Sequence, residues 1–141
     1  MKIIIVDDNK TFREGIKYFL ERCLNYDVIE IVDDGAAFLK LKNVHTADII
    51  LMDIQMPQIN GIHATKRVLW DMNYLKIIAI TMYNDNAYLT ELIEAGFKGY
   101  VIKNQIYEEL QKAIETVASG KLYFPSYIKL SSSHNIKHNN F

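Results

Sequence analysis

Five short apolar runs rich in β-branched residues punctuate the chain, at residues 3–6, 28–32, 49–52, 77–81 and 100–102. They are mostly continuous rather than alternating, which predicts strands covered on both faces. The stretches between them have a different period. Phe12, Ile16, Phe19, Leu20 and Cys23 form one stripe of three-and-four spacing. Leu89, Leu92, Ile93 and Phe97 form a second, and Ile106, Leu110, Ala113, Ile114 and Val117 a third. Each stripe predicts an amphipathic helix. Stretches 35–42 and 62–72 are less regular, and Gly96 and Gly120 stand where helices should stop. Strand-helix alternation through the whole chain predicts one α/β domain, a doubly wound five-stranded parallel sheet with right-handed crossovers and helices on both faces.

The ends of these runs carry the chemistry. Asp7 and Asp8 close the first run, Asp53 the third, Thr81 the fourth and Lys103 the fifth. Open α/β sheets bind ligands outside the carboxyl ends of their strands. A lone polar group there needs no function, because it caps a helix or faces water. Five complementary groups at successive ends are a different matter. Three carboxylates brought close resist joint ionisation, and a hard divalent cation such as Mg²⁺ relieves that. Asp8 and Asp53 suit direct ligation, Asp7 ligation through water, and a backbone carbonyl just after Asp53 would complete the set. The cation alone leaves Lys103 unexplained, since an ammonium would compete with it. A phosphoryl group bridging the two satisfies both, and Asp53 then reads as a carboxylate nucleophile that forms an acyl phosphate. The Thr81 hydroxyl can donate to a phosphoryl oxygen.

Composition removes other classes. The 141 residues suffice for one core, and the net charge of −1 leaves no basic footprint for nucleic acid or for a membrane surface. The uninterrupted apolar runs are far shorter than a membrane span. Cys23 is the only cysteine. Its place on an apolar stripe predicts a buried, reduced thiol, and the absence of a second cysteine fits a reducing, cytoplasmic compartment. There is no signal-peptide pattern, no glycine-rich phosphate loop, no zinc-type spacing and no internal repeat.

Over about residues 1–122 the chain resembles the receiver domain of two-component response regulators. The matching segments are Ile-Val-Asp-Asp at 5–8, Leu-Met-Asp-Ile-Gln-Met-Pro at 51–57 with Gly61, Ile-Thr at 80–81, Gly96, and Gly-Tyr-Val-Ile-Lys at 99–103. The resemblance implies a flavodoxin-like fold with strand order 2-1-3-4-5. It implies a phosphoacceptor at Asp53, with Mg²⁺ (or Mn²⁺) bound by Asp7, Asp8, Asp53 and the backbone carbonyl of Gln55. It also implies phosphoryl contacts from Thr81 and Lys103, with Tyr100 as the aromatic that turns inward when Thr81 engages. The implied donor is a phosphohistidine on a sensor histidine kinase, and the implied partner of the switched surface is a second receiver, giving a phosphorylation-dependent homodimer. Such a domain catalyses its own phosphorylation and is not a turnover enzyme.

The last predicted helix and the Gly-Lys-Leu-Tyr-Phe segment at 120–124 are similar to receivers of the nitrate-response and quorum-regulator type, which precede a helix-turn-helix DNA-binding domain. On that reading residues 1–122 are the receiver and 123–141 a polar tail or the start of an interdomain linker. Ser131 to Ser133 and the His134/His138 pair lie there, the pair being read as chance spacing. Two departures stand out. Asn104 comes after Lys103 where many receivers have proline, so the loop presenting the lysine is expected to differ. Tyr83, two residues past Thr81, is large and predicts slow loss of phosphate. Two rivals remain. A phosphatase using the same aspartate chemistry would want a second acid where Gln55 stands. A degenerate receiver serving only as an interaction module would not need every reactive position filled.

Overall fold

The computed structural model describes residues 1–82 and 86–124. Its elements run β1 (Lys2–Val6), α1 (Lys10–Tyr18), β2 (Asp27–Val32), α2 (Gly35–Leu39), β3 (Ile49–Asp53), α3 (Gly61–Asp71), β4 (Ile77–Thr81), α4 (Asn86–Ala95), β5 (Gly99–Ile102) and α5 (Ile106–Ala118). All strand pairs are parallel, in the order β2-β1-β3-β4-β5. The five expected strands and their order are therefore present.

Strand alternation divides the core in two. Ile3, Ile5, Ile49, Leu51, Ile78, Ile80 and Val101 face α1 and α5, where they meet Ile16, Leu20, Leu110 and Ile114. Ile4, Val6, Ile50, Met52, Ile77, Ala79 and Tyr100 face α2, α3 and α4, where they meet Phe38, Ile62, Val68, Leu89 and Leu92. Central strands β3 and β4 are buried along their whole length, and burying each of their large aliphatic side chains contributes about 1.5–3 kcal/mol. The edge strand β2 departs from the expectation of two covered faces and is only half-buried. A bulge places Ile3 against Val28 and Ile4 against Glu30. The extra residue keeps Ile31 and Val32 in step with Ile5 and Val6.

The termini of the helices explain two further differences. Gly96 and Gly120 both adopt positive φ. After α4, Phe97 N–H donates to the Leu92 carbonyl and Gly96 N–H to that of Ile93, a Schellman stop. Phe97 is thus a core residue beyond the helix, not the last member of its stripe. After α1 the chain widens into a π turn over Phe19–Cys23, with Leu24 N–H donating to the Phe19 carbonyl. The extra residue in that turn rotates the next side chains about the helix axis. Leu24 packs on the core instead, and Cys23 is exposed, which corrects the expectation of a buried thiol.

Past α5 the chain returns to the sheet edge. Tyr123 N–H donates to the Lys98 carbonyl, Tyr100 N–H donates to the Tyr123 carbonyl, and Phe124 is buried. No helix among the described residues is long and apolar enough to cross a membrane. Tyr83, Ser131 to Ser133, His134 and His138 lie outside the described residues.

Candidate functional site

The carboxyl ends of β1, β3 and β5 put Asp7, Asp53 and Lys103 on the α1/α5 side of the sheet, because each continues the odd-numbered register of its strand. Asp7 and Asp53 are almost wholly buried, at 1% and 3% exposure. Asp8 is exposed. One carboxylate oxygen from each of Asp7, Asp8 and Asp53 lies within 4.8 Å of the others. Lys103 Nζ stands 2.9 Å from Asp7 Oδ2 and 3.5 Å from Asp53 Oδ1. The shorter contact is an ion pair without hydrogen-bond alignment, and Asp7 Oδ2 has no directed donor among the described residues. Its partner oxygen Oδ1 accepts the Asn9 N–H at 2.8 Å. The Gln55 N–H approaches Asp53 Oδ1 at 3.4 Å, so the loop after β3 folds back over its own acid.

This environment pushes the Asp53 carboxyl up to about 7. Burial is the largest cause, and the negative charge of Asp7 comes next. Lys103 opposes them, the hydrogen bond with Asp8 adds to the rise, and the Gln55 amide lowers it. Three clustered acids and a carboxyl that holds its proton near neutrality fit a divalent cation: its charge would remove the repulsion that keeps Asp53 from ionising.

Local sequence explains the geometry. Asn9 caps α1 by accepting the Phe12 N–H, and Arg13 Nη1 donates to the Asp7 carbonyl at 2.8 Å. The first turn of α1 is thereby fastened to the acid that precedes it. Beyond β3, Asn60 caps α3 by accepting the His63 N–H, and Gly61 N–H donates to the Ile54 carbonyl at 2.9 Å. A Cβ on Gly61 would run into the Asp53 carbonyl. Glycine at this position is what lets α3 start so close to the acid.

Thr81 is fully buried and pairs with Ile102, while its neighbour Ile80 pairs with Asp53. It therefore lies one residue beyond Asp53 on the adjacent strand, on the α2/α3/α4 face. Tyr100 shares that face and is buried at 1% exposure. Lys103 opens a 3-10 turn, Lys103–Gln105, that runs directly into α5. This is how the lysine is presented with Asn104 beside it. The group at the site that pattern reading missed is Phe12, counted only as a core stripe. Lys103 Nζ lies 4.5 Å from its ring centroid. The spacing of capping Asn9 three residues before Phe12 is the signal that fixes the ring's place.

Known proteins share the sequence and the fold of this chain. The family model described as "Response regulator receiver domain" matches residues 3–115. The chain is 32% identical over 136 residues to the transcriptional regulatory protein DegU of Brevibacillus brevis, covering 96% of this chain and 56% of that protein. It is 37% identical over 126 residues to the transcriptional regulatory protein LnrK of Bacillus subtilis, covering 89% and 57%. The chain thus spans just over half the length of these curated relatives. A two-component response regulator of the LuxR family from Aurantimonas sp. SI85-9A1 superposes with a TM-score of 0.83 at 32% identity, covering 95% of this chain and 96% of that one. The isolated REC domain of RcsB from Salmonella enterica serovar Typhimurium, solved with phosphomimetic BeF3−, superposes with a TM-score of 0.78 at 28% identity, covering 92% and 96%.

Proposed function

The chain belongs to the response regulator receiver family, and from that membership we propose that Asp53 is its phosphoacceptor and the input of a reversible conformational switch. One observation carries the reading: a buried Asp53 sits beside two further acids with a lysine ammonium 3.5 Å from its own oxygen. In transfer from a phosphohistidine of a sensor histidine kinase, an Asp53 oxygen forms the new O–P bond. The donor's N–P bond breaks, and the imidazole leaves with its electron pair and takes up a proton. Lys103 tracks the developing charge from the carboxylate to a phosphoryl oxygen. Asp7, Asp8, Asp53 and the Gln55 carbonyl are the groups to hold Mg²⁺ or Mn²⁺, which when bound supplies charge compensation to acids and phosphoryl group alike.

Thr81, one strand away, donates its hydroxyl to the phosphoryl group. Tyr100, on the same face two residues before the partner of Thr81, reads that movement toward the β5 edge. The phosphoryl group shifts the balance between two pre-existing states. The switched surface then pairs two receivers as a homodimer. Residues 1–122 act as the receiver, Tyr123 and Phe124 strap onto its β5 edge, and the rest of 123–141 leads toward an output. Because relatives are named transcriptional regulatory proteins, that output is control of transcription by a DNA-binding segment outside these 141 residues, in the cytoplasm. Gln55 supplies no second acid for steady hydrolysis of foreign esters, so the chain acts once per signal and not as a turnover enzyme.

Incubation with acetyl phosphate and Mg²⁺ should add one phosphoryl group per chain, read by intact mass. Asp53→Asn should add none. Equal labelling of the two proteins would refute the assignment.

A further inference from the structure

Lys103 holds its ammonium at a defined position on a long, flexible stem, and its ion pairs with Asp7 and Asp53 are not its only contacts. Its contact with Asp7 Oδ2 lacks hydrogen-bond alignment, and Asp53 Oδ1 is farther, at 3.5 Å. An aromatic ring also faces the ammonium. We infer that Phe12 is a positioning residue for Lys103: its ring seats the ammonium between Asp7 and Asp53, so that a phosphoryl group arriving on Asp53 meets a preset cation.

Three observations converge on this. Nζ lies 4.5 Å from the Phe12 ring centroid, inside the range of about 6 Å over which an ammonium is attracted to the face of an aromatic ring. The Lys103 side chain is 14% exposed, so the attraction is little screened. The ring itself is anchored by the first turn of α1: the Asp7 carboxylate accepts the Asn9 N–H, Asn9 accepts the Phe12 N–H, and Arg13 donates to the Asp7 carbonyl. The same acid that pairs with Lys103 thus sets the helix that carries its seat. Packing alone would ask only for an apolar residue here, because Phe12 meets the α1/α5 core as one of several partly buried side chains. Leucine would meet that demand. The ring face is what leucine would not supply.

The inference rests on the reading of Asp53 as phosphoacceptor and Lys103 as its counter-charge, and the test separates the two. In the full 141-residue chain, the ε-methylene protons of Lys103 should be displaced upfield by the Phe12 ring. Phe12→Leu should abolish that displacement and Phe12→Tyr should keep it. With acetyl phosphate and Mg²⁺ as probe, Phe12→Leu should slow labelling about three- to tenfold, the scale of a partly desolvated cation–π contact, and Phe12→Tyr should rescue it. In a Lys103→Ala background Phe12→Leu should change nothing further. Methyl spectra of the core isoleucines check that each variant is folded. An undisplaced lysine signal in the wild-type chain overturns the seat, as does an equal slowing by Phe12→Leu with and without Lys103. A displaced signal in a wild-type chain that takes no phosphoryl group would keep the seat and defeat the phosphoacceptor reading instead.

Discussion

Replacing Asp53 by Asn should make the domain more stable at alkaline pH, although it removes the group on which the proposed function depends. Asp53 is 3% exposed, and its carboxyl rises from an ordinary value of 3.8 to about 7, first through burial and next through Asp7. A carboxyl whose folded value lies above its unfolded value binds its proton more tightly in the folded chain. Its favourable contribution is complete below the unfolded value and is lost as pH climbs through the folded one. The rise spans about 3 units, worth about 4 kcal/mol at its ceiling. The opposing charge of Lys103 is already contained in that rise, and relaxation and water entry at the site bring the expected gain from Asp53→Asn to about 2–4 kcal/mol at about pH 8. For a chain of this size the melting temperature should rise by about 6–12 °C. The assay is thermal or urea unfolding monitored by circular dichroism in a chelator at about pH 8 and about pH 4.5. The gain should shrink at the acidic value, where Asp53 is protonated while folded. Saturating Mg²⁺ should stabilise the wild-type chain more than the variant, because the cation binds only the folded site. An Asn variant no more stable than wild type at about pH 8, with the same pH profile, would refute the buried-charge argument.

Three other perturbations probe the same geometry. Lys103→Met leaves Asp7 and Asp53 facing each other without compensation. It should cost about 2–4 kcal/mol in a chelator, by urea unfolding, with much of the loss recovered on adding Mg²⁺. Gly61→Ala forces a methyl group onto the Asp53 carbonyl. It should cost more than about 2 kcal/mol in thermal unfolding and weaken Mg²⁺ binding measured by titration. Thr65 is fully buried, and its hydroxyl has no hydrogen-bond partner among the described residues. Thr65→Val should therefore raise stability by about 1 kcal/mol, and a loss of that size would show that the hydroxyl is satisfied after all.

Much of this molecule is legible in its sequence because burial on both faces demands unbroken apolar runs. Runs 3–6, 49–52 and 77–81 became central strands, and the acids and threonine that close them fell together because parallel strands end on one side. The site residues Asp7, Asp8, Asp53 and Lys103 converge accordingly. Four features escaped for local reasons. The π turn at Phe19–Cys23 breaks the helical period in the middle of a regular stripe, so Cys23 faces out and Leu24 in. Phe97 keeps the stripe's spacing, although the chain has already turned at Gly96. Phe12 satisfies the core pattern so well that its second contact, with an ammonium ninety-one positions away, is hidden by it, although the Asn9 cap three residues earlier fixes where the ring stands. The edge strap of Tyr123 and Phe124 depends on two backbone hydrogen bonds, one to Lys98 and one from Tyr100, which no side-chain pattern encodes.

The central claim is that one particular carboxylate among three neighbours becomes the acyl phosphate. Hydride reduction distinguishes them, because borohydride converts an acyl phosphate to a primary alcohol while leaving free carboxylates intact. After phosphorylation with acetyl phosphate and Mg²⁺, borohydride treatment and peptide mass mapping should find homoserine at position 53, with Asp7 and Asp8 unchanged. Homoserine at position 7 or 8, or its absence from a chain that has taken up a phosphoryl group, would contradict the account.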